Sequence, residues 1–275
     1  MRKISHSEIS TYLDCQKKWE LIYIKGLKQD GPDFQFGEMG HKVLETRVIP
    51  DEALYPELKE HFEIPSWKDY FTDIFEELDE FFKDYEILHR EYPIETDDIK
   101  GVIDVVARHK TSGKTVIMDY KFSKQKKTDE DVLLDEQMYI YAVVYASQNG
   151  LTLDDVEMCY ISIPKNNFSK PRVLKTGQLS KDKAQNTTVK KYEQAIEELG
   201  LNRADYEDFL SEIAGKTVLT IAKSYINHDM LMRIMTNIDN VRKDMDKGYV
   251  LEKCSFMCKK CPFVEYCKYD KQIER

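Results

Sequence analysis

The sequence predicts an α/β domain with a helical extension, and three observations predict it. Helical periodicity opens the chain, β-branched segments joined by a hairpin turn follow near residues 86–121, and then come a helix, one more strand and further helices. No internal repeat or low-complexity linker divides the 275 residues, so 1–275 reads as one domain. A composition of 41% hydrophobic and 33% charged residues belongs to a globular chain and excludes a disordered one.

Taken in order, Ser5 to Leu27 reads as a short helix and turn, with Ser5 or Ser7 as cap and Ile9, Tyr12 and Leu13 at helical spacing. A second helix opens at Phe36-Gly37-Glu38-Met39-Gly40-His41 and runs through Leu44 and Glu45. Residues 67–85 form a long aromatic-rich amphipathic helix. Residues 86–95, 99–109 and 114–121 are strands, and Thr111-Ser112-Gly113-Lys114 makes the turn between the last two. A helix is expected over 131–147 and a strand over 156–163. Helices near 180–199 and 203–214 then precede a longer one near 217–246.

The start of the chain, MRKISHSEIS, has no apolar segment of the secretory kind. The longest apolar run, Tyr139 to Ala146, is far too short to cross a bilayer. The sequence therefore predicts a cytoplasmic protein with no membrane partner. A net charge of −9 argues against nonspecific coating of nucleic acid, but not against one local binding groove.

The chemistry concentrates on two strands. Ile99-Lys-Gly-Val-Ile-Asp104-Val-Val sets one acid among β-branched residues, and Val116-Ile-Met-Asp119-Tyr-Lys121 repeats the pattern. A lone buried carboxylate is costly unless a cation or hydrogen bonds compensate it. Side chains alternate along a strand, so Asp119 and Lys121 share a face, and a hairpin over 101–121 can set Asp104 beside Asp119. Paired carboxylates repel unless a divalent cation joins them, and oxygen ligands suit Mg²⁺ or Mn²⁺. Lys121 can then orient water and stabilise the charge of a phosphate under attack. The plainer alternative is a buried Asp–Lys salt bridge. Gln137 and Tyr141, one turn apart on the next helix, and His41 upstream with Glu45 one turn on, favour the metal reading.

The series Gly101-Val-Ile-Asp104, Asp119-Tyr-Lys121 and Gln137-Met-Tyr-Ile-Tyr141, with Gly40-His41 upstream, resembles the RecB-like branch of the PD-(D/E)XK nucleases. The resemblance implies a restriction-endonuclease-like core, a mixed central sheet flanked by helices. It implies a metal held by His41, Asp104, Asp119 and the backbone carbonyl of Tyr120, with Asp104, Asp119 and Lys121 catalytic. Gln137 and Tyr141 would contact the DNA or brace the site. Asp119 stands where many relatives carry Glu, and the shorter acid could alter metal preference or rate.

Four of the six cysteines fall in the last 22 residues. Clustered cysteines in a reducing compartment point to a metal or redox role. Cys258, Cys261 and Cys267 leave a four-thiolate site one ligand short, and Cys15 is the natural fourth. Iron–sulfur clusters and structural zinc both accept four thiolates. One distant cysteine plus a triplet resembles the iron–sulfur nucleases of the AddB type and the CRISPR-associated RecB-like nucleases. That resemblance implies a 4Fe–4S cluster, with Zn²⁺ the alternative, joining Cys15 to the 254–267 segment. Such a cluster would staple residues 252 positions apart, which stabilises a fold as a disulfide does. Cys254 is a spare thiol that could replace Cys258, and Cys159 on an apolar strand is a core residue.

Lys121, Lys124, Lys126 and Lys127 follow the catalytic strand closely enough for phosphate contacts, whereas Lys181, Lys183, Lys190 and Lys191 read as solvated surface. Lys259 and Lys260 sit inside the cysteine cluster, and Trp19, Tyr139 and Tyr141 are candidates to stack on bases. The expected function is a metal-dependent DNA nuclease in recombination, repair or processing, an exonuclease on single strands or DNA ends. The alternative is a non-catalytic iron–sulfur DNA-binding subunit of a recombination or processing complex, and a plainer third is a zinc-stapled interaction protein.

Overall fold

A computed structural model describes residues 2–29, 31–248, 250, 258–259 and 261–267. Cys254 and Lys260 lie outside the described residues.

Helix α1 (His6–Asp14) starts where Ser5 accepts the Glu8 amide on its hydroxyl, so Ser5 is the cap. Cys15 ends α1 and caps α2 (Gln16–Trp19), which runs into a π-helical turn at Glu20–Ile24. Helix α3 (Pro32–Thr46) begins earlier than its apolar periodicity implies, because Pro32 supplies a first-turn residue with no amide to satisfy. A short α4 (Pro56–His61) follows. Helix α5 (Trp67–Phe81) is capped by Ser66 and buries Trp67, Phe71 and Ile74 completely, each worth about 1.5–3 kcal/mol of apolar burial.

Strands β1 (Tyr85–Glu95), β2 (Lys100–His109) and β3 (Thr115–Ser123) form an antiparallel meander. Gly113 turns the second hairpin with φ +73°, a conformation that costs glycine nothing. Residues 131–147 do not make one helix. Thr128 and Asp131 form a capping box for α6 (Asp129–Leu133), and Asp135 caps a new helix, α7 (Glu136–Asn149). Strand β4 (Val156–Pro164) returns parallel to β3, as the helical crossover between them allows.

The C-terminal portion departs from expectation. Residues 180–188 are not helical, and α8 (Val189–Glu198) starts on the Thr188 cap. A 3₁₀ turn at Arg203–Tyr206 precedes α9 (Glu207–Glu212). The long helix expected near 217–246 contains a strand instead, β5 (Thr220–Tyr225), and α10 (His228–Asp246) begins only after the Asn227 cap. The Thr-Ile-Ala-Lys-Ser-Tyr segment gains a full antiparallel ladder on β4, and its Thr220, Ile221 and Tyr225 are residues that favour a strand.

Among the described residues five strands lie in the order β1-β2-β3-β4-β5, a mixed sheet. Alternate residues of β3 serve opposite layers. Val116, Met118 and Tyr120 pack with α3 and α5, and Ile117 packs with α1, α7 and α10. The sheet is thus covered by helices on both faces, the layering of an α/β fold. Among the described residues no helix is long and apolar enough to cross a membrane.

Candidate active site

The ladder between β2 and β3 is short. It pairs Arg108 with Thr115 through Val105 with Met118, although β2 continues back to Lys100 and β3 on to Ser123. Beyond that last pair the strands part, and a carboxylate fills the fork: the Tyr120 amide donates to Asp104 Oδ2 at 2.7 Å. The same register sets Asp104 across from Asp119, on one face of the sheet.

Asp119 is only 4% exposed. Its Oδ2 lies 2.9 Å from Lys121 Nζ in an ion pair, and among the described residues that buried oxygen has no other partner. Burial pushes the Asp119 carboxyl up to about 6, against the pull of the Lys121 ammonium and with help from the like charge of Asp104. Burial also works against the Lys121 ammonium, but the charge and contact of Asp119 outweigh it and hold its pKa above the usual lysine value.

Helix α3 brings His41 to the fork, where its Nδ1 stands 3.3 Å from Asp104 Oδ1. Burial draws the imidazole down, while the Asp104 hydrogen bond and charge draw it up further, so its pKa lies above 6.5. Gly40 explains how the helix comes so close: a Cβ there would overlap the Phe122 ring on β3. On the other face, α7 presents Gln137, whose Oε1 accepts from Lys121 Nζ at 3.1 Å and whose Nε2 donates to the Tyr141 hydroxyl at 2.8 Å. Gly101 makes room for that tyrosine, since a Cβ at 101 would stand 2.8 Å from Tyr141 Cε1. The stem of Lys121 is also steered by Tyr160 of β4, with Nζ 5.0 Å from the ring centre.

His41, Asp104, Asp119, Tyr120, Lys121, Gln137 and Tyr141 therefore converge on one fork. Four further residues lie there without a local sequence signal. Glu91 of β1 faces Asp104 across the hairpin register and holds a left-handed φ of +48°. Burial, and then the Asp104 charge, raise its carboxyl pKa. Asp135, the α7 cap, and His6, the first residue of α1, both bear on Lys121, and burial lowers the His6 imidazole. Ser162 is the β4 partner of Lys121 in register. Glu91 and Ser162 become legible only once strand pairing is fixed.

The stacking candidates are corrected. Trp19 is 5% exposed and donates its indole N–H to the buried Glu8 carboxylate at 2.9 Å, Tyr139 is fully buried, and Tyr141 is enclosed between Gly101 and Gln137. None offers an open ring to a base. Lys181, Lys183, Lys190 and Lys191 are occupied by the Asp205 carbonyl, Glu212, Glu76 and Asp73 in turn, a paired surface.

The sequence profile of the PD-(D/E)XK nuclease superfamily matches residues 3–268. The chain belongs to the PD-(D/E)XK nuclease superfamily. Its members are nucleases, and they typically use Mg²⁺ or Mn²⁺. The mixed five-stranded sheet with helices on both faces is consistent with a restriction-endonuclease-like core. Among solved structures the chain is similar to a candidate exonuclease from Eubacterium rectale, at 13% identity and a TM-score of 0.36, over 94% of this chain and 93% of that one. No curated protein matches it.

For this superfamily member the donor set suits a hard divalent cation: carboxylate oxygens, an imidazole and a carbonyl, with Asp119 Oδ2 buried and short of partners. Among the described residues, no three His, Cys, Asp or Glu side chains are already drawn to metal-binding distance. Cys15 Sγ accepts the Lys18 amide at 3.5 Å, and Cys258, Cys261 and Cys267 follow one another through tight turns. Cys159 is fully buried in β4, and burial pushes its thiol up to about 12, as suits a core residue.

Proposed function

We propose that this chain is a Mg²⁺- or Mn²⁺-dependent deoxyribonuclease of the RecB-like branch, acting as an exonuclease on single strands or DNA ends. The observation that carries the reading is the fork itself: two carboxylates in register, one buried and ion-paired to a lysine that Gln137 also holds. Asp104, Asp119, His41 and the Tyr120 carbonyl would hold the cation. When bound, it lowers the pKa of a coordinated water and neutralises phosphate charge. Lys121 would keep its proton throughout and place a fixed positive charge where negative charge grows on the phosphate. Gln137 and Tyr141 would brace that lysine. The Tyr120 amide fixes the Asp104 carboxylate, so the ligand is oriented before the substrate arrives.

Purified protein given end-labelled single-stranded DNA should degrade it only with Mg²⁺ or Mn²⁺, and not degrade closed circles. Cleavage that survives in both Asp104→Ala and Lys121→Ala would overturn the mechanism.

We also propose a 4Fe–4S cluster on Cys15, Cys258, Cys261 and Cys267, on the strength of their spacing. Tyr12 of α1 donates to Asp244 near the end of α10 at 3.2 Å, so α10 is docked on the segment that carries Cys15. Assembly would draw the thiols together. Protein prepared anaerobically should be brown and contain iron and acid-labile sulfide. Colourless protein with one zinc would replace the cluster with zinc and leave the nuclease reading standing.

A further inference from the structure

Between β4 and β5 the chain builds a small helical unit around Tyr192, Tyr206, Phe209 and Leu210, and one β-hairpin stands out from it. Val173 pairs with Leu179, the Leu174 amide donates to the Gln178 carbonyl, and the Ser180 amide donates to the Arg172 carbonyl. Gly177, at φ +81°, closes the loop in the left-handed conformation that such short hairpin loops require. The root is fixed. Gln185 clasps both legs, accepting the Arg172 amide on Oε1 and donating from Nε2 to the Ser180 carbonyl, each at 2.8 Å. The Tyr206 hydroxyl accepts the Leu179 amide at 3.1 Å. Pro171, Leu179 and Ser180 are buried, whereas residues 172–178 are all exposed. At about 3.3 Å per residue, the tip stands about 10 Å above Arg172.

This tip is apolar and cationic together. Val173 is 51% and Leu174 39% exposed. Successive side chains of extended chain point to opposite sides, so the hairpin carries an apolar side chain on each. Residues 165–181 hold five bases, Lys165, Lys170, Arg172, Lys175 and Lys181, and no acid, in a chain of net charge −9. Glu198 holds Lys170 and the Asp205 carbonyl holds Lys181. Arg172 and Lys175, which flank the two apolar residues, make no ion pair among the described residues. A protein partner would call for one contiguous apolar patch, not two apolar side chains on opposite sides. The end of a DNA duplex fits better, because aliphatic side chains wedge between bases while cations take the phosphates beside them.

The hairpin also rises beside the catalytic fork. Lys124 and Lys126, three and five residues beyond Lys121, are exposed and share a cavity of about 250 Å³ with Phe168 and Asn186. The Asn186 carbonyl accepts the Ser169 amide at the root of the hairpin. We propose that the 172–178 hairpin is a wedge for duplex DNA. It meets the terminal base pair where a duplex joins the single strand running into the fork, and Arg172 and Lys175 hold phosphates beside it. The preferred substrate is then a duplex end with an overhang, not a free single strand. The proposal rests on the nuclease reading for its place in the reaction, but the wedge acts without cleavage.

Two duplexes, one with a 5′ and one with a 3′ single-stranded overhang, carry 2-aminopurine at the first paired position and are titrated in EDTA. Wild-type protein should brighten the probe in one of them, as the base unstacks. By anisotropy that duplex should bind about 10-fold more tightly than its overhang strand alone, the effect of two added phosphate contacts. Val173→Asn/Leu174→Asn should abolish the brightening at saturating protein with Tm nearly unchanged, because both side chains are exposed. Arg172→Gln/Lys175→Gln should weaken duplex binding and lower its salt slope by about 1–2. With Mg²⁺, the ratio of overhang-duplex to single-strand cleavage should fall about 10-fold in the Val173→Asn/Leu174→Asn protein. No brightening with either duplex, or equal brightening with that variant, would overturn the wedge even if single strands are cleaved. Brightening that depends on Val173 and Leu174 in a protein that cleaves no DNA would overturn the nuclease reading and leave the wedge standing.

Discussion

Gln137 Oε1 accepts a hydrogen bond from Lys121 Nζ at 3.1 Å, so a helix on one face of the sheet fixes the lysine on its central strand. Burial alone would favour an uncharged lysine, and Asp119 keeps it charged, but charge does not fix direction. Direction comes from Gln137, itself donating to the Tyr141 hydroxyl at 2.8 Å. Gln137→Ala should therefore lower kcat by up to about 100-fold through misplacement, with Tm nearly unchanged. Lys121→Ala should cost on the order of 100- to 1,000-fold or more, because the charge itself is lost. Single-turnover rates at saturating Mg²⁺ would check both. An equal loss in the two variants would mean that Gln137 does more than aim the lysine.

The second prediction concerns stability without metal. Asp119 has a folded pKa of about 6 against an ordinary value of 3.8. Because the folded state raises this pKa, the stability Asp119 contributes is fully present below about pH 3.8 and lost as pH rises through about 6. At neutral pH the metal-free site therefore carries a penalty on the order of 3 kcal/mol. Asp119→Asn, in EDTA at pH 7.5, should raise Tm above that of the wild type. The gap should close as pH falls from about 6 toward 4. Saturating Mg²⁺ should stabilise the wild type and leave the variant unmoved. A lower Tm for Asp119→Asn in EDTA would show that the carboxylate is not strained.

The strands of the hairpin and the crossover strand were legible because β-branched and apolar residues dominate them and Gly113 marks the turn. The two acids were legible because carboxylates rarely stand in such runs. Strand β5 was not legible: Thr220–Tyr225 is short and adjoins a long helical pattern, and its pairing with β4 lies far off in sequence. Glu91 and Ser162 failed for the same reason, since each gains its position from a register and not from its neighbours in sequence. Trp19 misled in the opposite way. An aromatic beside lysines suggests a stacking platform, but its N–H serves a buried carboxylate, Glu8, 11 positions away.

That carboxylate supports a prediction about the N-terminal segment. Glu8 is 1% exposed, pairs with Arg2 and accepts the Trp19 indole N–H, so it ties the first strand-like residues to α1 and α2. Removing one partner from a buried charged group leaves the other unsatisfied. Trp19→Phe keeps the ring volume but removes the donor, and should destabilise the fold by about 1–3 kcal/mol in urea unfolding. Its affinity for single-stranded DNA, measured by anisotropy in EDTA at a temperature where both proteins are folded, should match the wild type. A selective loss of DNA affinity would restore Trp19 as a stacking residue.

The last prediction tests the contact between β2 and α7. Gly101 precedes Asp104 by three residues, and a methyl group there would stand 2.8 Å from Tyr141 Cε1, closer than a real Cβ contact. The tyrosine ring is enclosed, so it cannot simply swing into solvent, and its hydroxyl is the end of the chain that aims Lys121. Gly101→Ala should therefore cost about 1–3 kcal/mol of stability from overpacking and should lower kcat as well. Tyr141→Leu alone relieves no clash and loses the hydroxyl. The double variant Gly101→Ala/Tyr141→Leu should recover much of the lost stability but not the lost kcat, because space is restored and the Gln137 brace is not. A double-mutant cycle on unfolding free energy and on kcat separates the two effects. Additive stability changes would show that Gly101 and Tyr141 do not contact each other in the folded protein.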